Sequence, residues 1–152
     1  MKLYTLVLSL FVMAVLNAAT AQDDAVKKEL AKFQGVWKTV QGEEDGKPSS
    51  EYLVDNLKWV IKNDQLTFKG IEPLLEKASR LAIVIDGSTT PKCIDLKVEA
   101  GSLKGTVFEG VYEWKGDELK MCFFLAGGNR PLDFETKAGS NRVLFVLKRH
   151  EP

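Results

Sequence analysis

Apolar and polar residues change rhythm twice along this chain. From Leu3 to Gln22 no residue is charged, and Leu3 to Leu16 is almost wholly apolar behind one basic residue, Lys2. From Asp23 to Phe33 the spacing becomes helical. Val26, Leu30 and Phe33 recur at i, i+4 and i+7 and acidic residues fill the first turn, which predicts a short amphipathic helix. From Gly35 onward the period is two, in short alternating runs broken by turn residues every roughly 8 to 12 positions, the pattern of an all-β sandwich or barrel.

Eight strands are predicted: about Gly35 to Glu43, Leu57 to Lys62, Gln65 to Lys69, Arg80 to Asp86, Cys93 to Glu99, Thr106 to Trp114, Leu119 to Leu125 and Arg142 to Arg149. Asn63-Asp64 and Gly116-Asp117 read as tight hairpin turns, and Ser49 to Asp55 as a helical turn. Eight consecutive antiparallel strands favour an eight-stranded up-and-down barrel, which abolishes exposed edges by closing on itself; a two-sheet sandwich is the alternative. Alternation points Trp37, Trp59, Phe68, Ile94, Leu96, Phe108, Tyr112, Trp114, Met121, Phe123 and Phe145 inward. An interior so rich in rings either fills itself or leaves room for one small ligand, and Gly110 on a long strand hints at a bend or a little space.

The N-terminal apolar run is shorter than a membrane span of about 20 residues and suits the hydrophobic region of a secretory signal peptide. It breaks into Asn17-Ala18-Ala19-Thr20-Ala21, with Ala19-Thr20-Ala21 as the cleavage site, so the expected division is a signal peptide over 1–21 and one barrel domain over 22–152. A retained N-terminal anchor is the other reading of the same run. No cysteine follows it to carry a lipid, and no Asn-x-Ser/Thr sequon occurs. The expected location is therefore extracytoplasmic, periplasmic or released, without stable membrane insertion once the leader is removed. Basic and acidic residues balance at 21 each, so charge provides no pull toward nucleic acid or anionic membrane.

The chemistry-bearing residues are few. His150 is the sole histidine and sits two residues from the C-terminus, which argues against histidine-built zinc or haem sites and against triads needing an imidazole base. No nucleophile elbow, phosphate-binding glycine loop or dinucleotide fingerprint is present. Glu43, Glu44 and Asp45 precede Gly46, where acidic residues suit a turn, and Glu109 and Glu113 share a face opposite Phe108, Tyr112 and Trp114. Arg130, in a Gly127-Gly128-Asn129-Arg130-Pro131 loop, is a candidate contact for a carboxylate or phosphate at a barrel mouth, or else a brace bonding backbone carbonyls. Cys93 and Cys122 fall on outward faces of the fifth and seventh strands. In a meander they stand about 9 to 10 Å apart, beyond the roughly 7 Å reach of a disulfide, which favours free thiols.

Several segments together resemble a known family. Gln34-Gly35-Val36-Trp37-Lys38, Asp45-Gly46-Lys47-Pro48, Pro91-Lys92-Cys93-Ile94-Asp95-Leu96, Gly110-Val111-Tyr112-Glu113, Leu119-Lys120-Met121-Cys122, Arg130-Pro131-Leu132-Asp133-Phe134 and Val146-Leu147-Lys148-Arg149 look like the successive signature blocks of small secreted, lipocalin-like domains of planctomycete bacteria, a family of uncharacterised function. The resemblance spans nearly all of 22–152 and implies a lipocalin-like barrel. Lipocalins in the wider sense stack an arginine on the tryptophan of the first strand. Here that implies Arg149 over Trp37, because the end of the last strand lies beside the start of the first, with Arg142 at the far end.

The function expected is binding of a small apolar ligand inside the barrel, with Trp59, Phe68, Phe108, Tyr112, Trp114 and Phe123 as candidate lining residues and no catalytic residue, metal or cofactor. The alternative is a filled barrel acting through its surface as an interaction or inhibitor-like module. An enzyme is the least expected reading, since no acid/base pair is marked.

Overall fold

The structure, a computed structural model, describes residues 20–125 and 128–150. Residues 1–19 of the expected leader, and Ala126 and Gly127 of the glycine loop, lie outside that range. Helix α1 covers 20–31, so Thr20 and Ala21, beside the expected cleavage site, lie in its exposed first turn. Its last turn tightens through bonds from Lys32, Phe33 and Gln34 amides to the carbonyls three residues back, and Phe33 drops into the core fully buried.

The strands are β1 (Gly35–Glu44), β2 (Lys47–Pro48), β3 (Lys58–Lys62), β4 (Gln65–Lys69), β5 (Arg80–Asp86), β6 (Lys92–Ala100), β7 (Val107–Lys115), β8 (Glu118–Phe124) and β9 (Arg142–Arg149). Every pairing is antiparallel, each long strand joins the next in sequence, and β9 returns to β1. The result is a closed eight-stranded up-and-down barrel with β2 outside the ring, paired to the end of β1. A sandwich is excluded by that closure. The hairpin turns fall where the composition placed them: Lys62 opposes Gln65 around Asn63-Asp64, and Lys115 opposes Glu118 around Gly116-Asp117.

Closure is locked where β1 and β9 meet. Trp37 and Arg149 are direct cross-strand partners, and the guanidinium carbon lies 4.5 Å from the centre of the Trp37 rings. The same guanidinium donates to the carbonyls of Lys32 at 2.8 Å and Gln34 at 2.6 Å, capping the exit of α1, while Trp37 Nε1 donates to the Phe33 carbonyl at 2.7 Å. Arg149 is exposed, so a stack of this kind contributes roughly 0.5 to 1 kcal/mol.

Three short elements lay outside the strand pattern. β2 follows a turn with positive φ at Asp45 and Gly46. The helical turn after it is α2 (Glu51–Asn56), capped by the Ser50 hydroxyl accepting from the Leu53 amide. Between β4 and β5 stands α3 (Glu72–Lys77), which alternation did not predict; proline in its first turn with Glu72 at its start and Lys77 at its end is the local signal for it. β4 and β5 pair through only two residues each, Gln65 with Ala82 and Leu66 with Leu81, and then diverge. α3 fills the opening, its C-terminal carbonyls accepting from the Ser102 and Leu103 amides.

The residues assigned inward form one core, with Phe108, Trp114 and Phe145 partly buried at its margin. A second, smaller cluster lies outside the wall. Val111, Cys122 and Leu144 face outward, yet the segment after β8 crosses over them and Phe134 packs on top. Cys122 is thus turned from the barrel interior but buried, and burial pushes its thiol up to about 11. Cys93 and Cys122 are free, and Val111 stands between them as the cross-strand partner of both.

Gly110 is where β7 can least accept a side chain. A Cβ there would come within 2.4 Å of the Phe123 ring and 2.7 Å of the Cys122 carbonyl oxygen. The ring could move, but the carbonyl belongs to the β7–β8 ladder. Gly110→Ala is therefore expected to cost about 2 kcal/mol in urea unfolding, and a change below a few tenths would contradict this packing.

Candidate functional site

The barrel has two ends of opposite character. At the α1 end the space is filled: Phe33 meets Tyr112 and Trp114 edge-on, each at 5.1 Å between ring centres, and Trp37 lies 5.8 Å from Trp114. Over these rings α1 places Glu29, whose side chain is only 12% exposed. Its Oε1 accepts from Lys92 Nζ at 2.9 Å, Tyr112 Oη at 3.1 Å and Trp114 Nε1 at 3.1 Å, while Oε2 accepts from Lys32 Nζ at 2.6 Å.

Burial alone would raise the Glu29 pKa, but these four donors favour the ionised form more strongly and hold it at about 2. The Tyr112 hydroxyl is pushed well above its ordinary range by burial and by the adjacent carboxylate. A carboxylate so acidic and so fully engaged is a poor proton acceptor at neutral pH. The cluster satisfies the polar tips of Tyr112 and Trp114 and pins α1 across the barrel mouth.

Arg130 lies on the outer wall. Its Nη1 donates to Asp95 Oδ1 at 2.6 Å and to the Gly110 carbonyl at 2.8 Å, and Nη2 stands 3.8 Å from Glu109 Oε1. These partners tie the segment after β8 to β6 and β7. Asp133 and Arg142 fasten its middle at 2.8 Å. Farther along, the Asp45 carboxylate accepts from the Gly139 and Asn141 amides, each at 2.9 Å, and the Thr136 hydroxyl donates to Glu43. Glu113, on the same outer face, pairs with Lys115 and Lys120. His150 is exposed, its amide donating to the Val36 carbonyl. Among the described residues no group of three His, Cys, Asp or Glu side chains could hold a metal ion.

The opposite end holds an apolar cavity of about 180 Å³. Its floor is aromatic: Trp59, Phe68, Phe108, Phe123 and Phe145 project from the strands, with Trp59 edge-on to Phe68 at 4.8 Å and to Phe145 at 5.1 Å. Leu53 of α2, with Leu74 and Ala78 of α3 and its end, forms the cover. The cavity meets solvent beside Glu44, Leu103 and Leu125, all exposed. Trp59 leaves no free donor inside, because its Nε1 donates to the Thr39 hydroxyl, which donates in turn to the Leu57 carbonyl.

Of the six lining candidates, the structure brings Trp59, Phe68, Phe108 and Phe123 together around this space. Tyr112 and Trp114 share the inward face of β7 with Phe108 but lie under α1, roughly 13 and 20 Å farther along at strand rise. Sequence reasoning missed the contributions of α3, of Phe145 as a wall residue and of Glu44. The local helix signals at 71–77 could have disclosed the first.

A closed antiparallel barrel with one end plugged and an apolar cavity at the other is the class of architecture that fold and site define. Compared with models of known families, with curated proteins and with solved structures, the chain has no match.

The Glu29 cluster sets a pH dependence. Its folded pKa lies below the ordinary 4.5, so the stability it contributes is complete above pH 4.5 and is lost as the pH falls toward 2. Glu29→Gln is expected to cost about 2 kcal/mol at pH 7. That deficit should shrink steadily in urea unfolding between pH 4.5 and pH 2; a deficit that is the same at both ends would contradict the ionised cluster.

Proposed function

We propose that this protein is a lipocalin-like carrier or sensor of a small apolar molecule, acting outside the cytoplasm once the leader over 1–21 is removed. The observation that carries the reading is the cavity: about 180 Å³ of space lined almost wholly by aromatic and aliphatic side chains, inside an otherwise filled barrel. An apolar cavity of about 150 Å³ is enough to stay dry and take up benzene. The size supports a compact guest, a single ring or a short chain, and is too small for a long-chain lipid or a haem. The arrangement also suits binding over catalysis, since the cavity wall presents aromatic edges and methyl groups, and its one ionisable side chain, Glu44, stands alone at the rim with no second acid, base or nucleophile beside it.

Support for an extracytoplasmic setting comes from the leader-like pattern of Leu3 to Ala21. Among the described residues no helix is long and apolar enough to cross a membrane. The resemblance to secreted lipocalin-like domains agrees with both parts of the reading. The alternative, a barrel acting only through its exterior, has the filled α1 end in its favour but gives no role to the space at the other end.

The test is calorimetric titration with toluene. Binding is expected in the wild type, Ala78→Leu should weaken it by about tenfold by filling the space, and Tyr112→Phe at the plugged end should leave affinity unchanged. Heats that stay flat for toluene and for a panel of rings and short chains would favour the surface-acting alternative.

A further inference from the structure

One charged side chain lines the cavity, and a break in the strand puts it there. Along β1, alternation from Trp37 runs inward at Thr39 and would continue through Gln41 and Glu43, leaving Glu44 outside. The β1–β9 pairing instead shifts register between Thr39 and Gln41. Val40 is left exposed, and beyond it Gly42 is buried against Ser49 and opposite Phe145 while Gln41 is exposed. A bulge of this kind re-aims every side chain that follows it. Glu44 thereby opposes Val143, a buried wall residue, and shares the cavity with it.

At the rim Glu44 has no committed partner. Glu43 receives Thr136, and Asp45 receives the amides of Gly139 and Asn141, so both neighbours work as structural ties. Glu44 forms no ion pair or side-chain hydrogen bond among the described residues, although Lys47 stands opposite it in β2. The other lining residues carry no charge, and the one indole donor within reach of the interior, Trp59 Nε1, is spent on Thr39. A guest entering this space meets hydrocarbon along its length and a carboxylate at its outer end.

We propose that the guest is a small apolar amine, its hydrocarbon body in the cavity and its ammonium group at the mouth against Glu44. This deepens the binding function proposed above and rests on it. A carboxylate-bearing guest of the same length is disfavoured, because its head would face a like charge in the same place. The pair is partly solvated, so the discrimination is modest: attraction for the amine and repulsion of the acid together amount to about tenfold in affinity.

Hexylamine, hexanol and hexanoate share one chain and differ only in the head, and calorimetric titration of the purified protein with each at low ionic strength tests the assignment. The wild type is expected to bind in the order amine, alcohol, carboxylate. Glu44→Gln should bring amine and carboxylate to within about twofold of each other, and Glu44→Lys should reverse the order. Both variants sit at an exposed rim, and unchanged urea midpoints establish that they fold. Hexanol binding with amine and carboxylate equal in the wild type, or with their order unaltered in Glu44→Gln, overturns the head-group assignment and leaves the cavity reading standing. Failure of hexanol and toluene alike removes the cavity reading, and the amine proposal with it.

Discussion

The structure depends on β9 returning to β1. Without that pairing the antiparallel meander would present two long unpaired edges, and the aromatic residues of both terminal strands would have no opposite wall. The closure is reinforced at one point by a single side chain. Arg149 stacks on its cross-strand partner Trp37 and uses its remaining donors to cap the chain leaving α1. The contact that closes the ring therefore also seats the helix, and the helix carries Glu29 to the donors of β6 and β7. Sheet closure, helix docking and the buried carboxylate form one mechanical unit at one end of the barrel.

The two ends follow different physical logic. At the α1 end Tyr112 is buried and Trp114 partly buried, and each polar tip needs a partner; Glu29 supplies one acceptor atom for Tyr112, Trp114 and Lys92 together. Such a network ties each polar tip to the helix above the rings. At the other end the wall parts between β4 and β5, where α3 fills the opening, and Leu53 of α2 and Leu74 of α3 cover the cavity. Leucine and phenylalanine impose no directional requirement, so a small void can persist there at a cost in lost dispersion contacts that a guest would restore.

Much of this was legible in the sequence because strand periodicity is a strong signal. The inward assignments from Trp37 to Phe145 followed from alternation and turn chemistry alone, and so did the order of the strands. Alternation reports which side of a sheet a residue faces and says nothing of depth along the barrel axis. That is why Phe108, Tyr112 and Trp114 looked equivalent, although the first lines a cavity and the others are sealed beneath α1. Alternation also fails where a strand is irregular. The bulge at Val40 reverses the faces of Glu43 and Glu44, and no residue type in Thr39-Val40-Gln41 announces it. Cys122 belongs to a further class: its outward direction was readable, but its burial depends on Phe134, brought over it by a segment with no periodicity.

Ligand binding requires that the space beneath α2 and α3 be a true apolar cavity. Diffraction from crystals pressurised with xenon tests this most directly, because xenon occupies dry apolar voids and scatters strongly. Xenon bound among Trp59, Phe108 and Phe145, with none under α1 near Tyr112, is the predicted result. Crystals in which that space is occupied by repacked side chains, or in which xenon collects only on the outer surface, would contradict it.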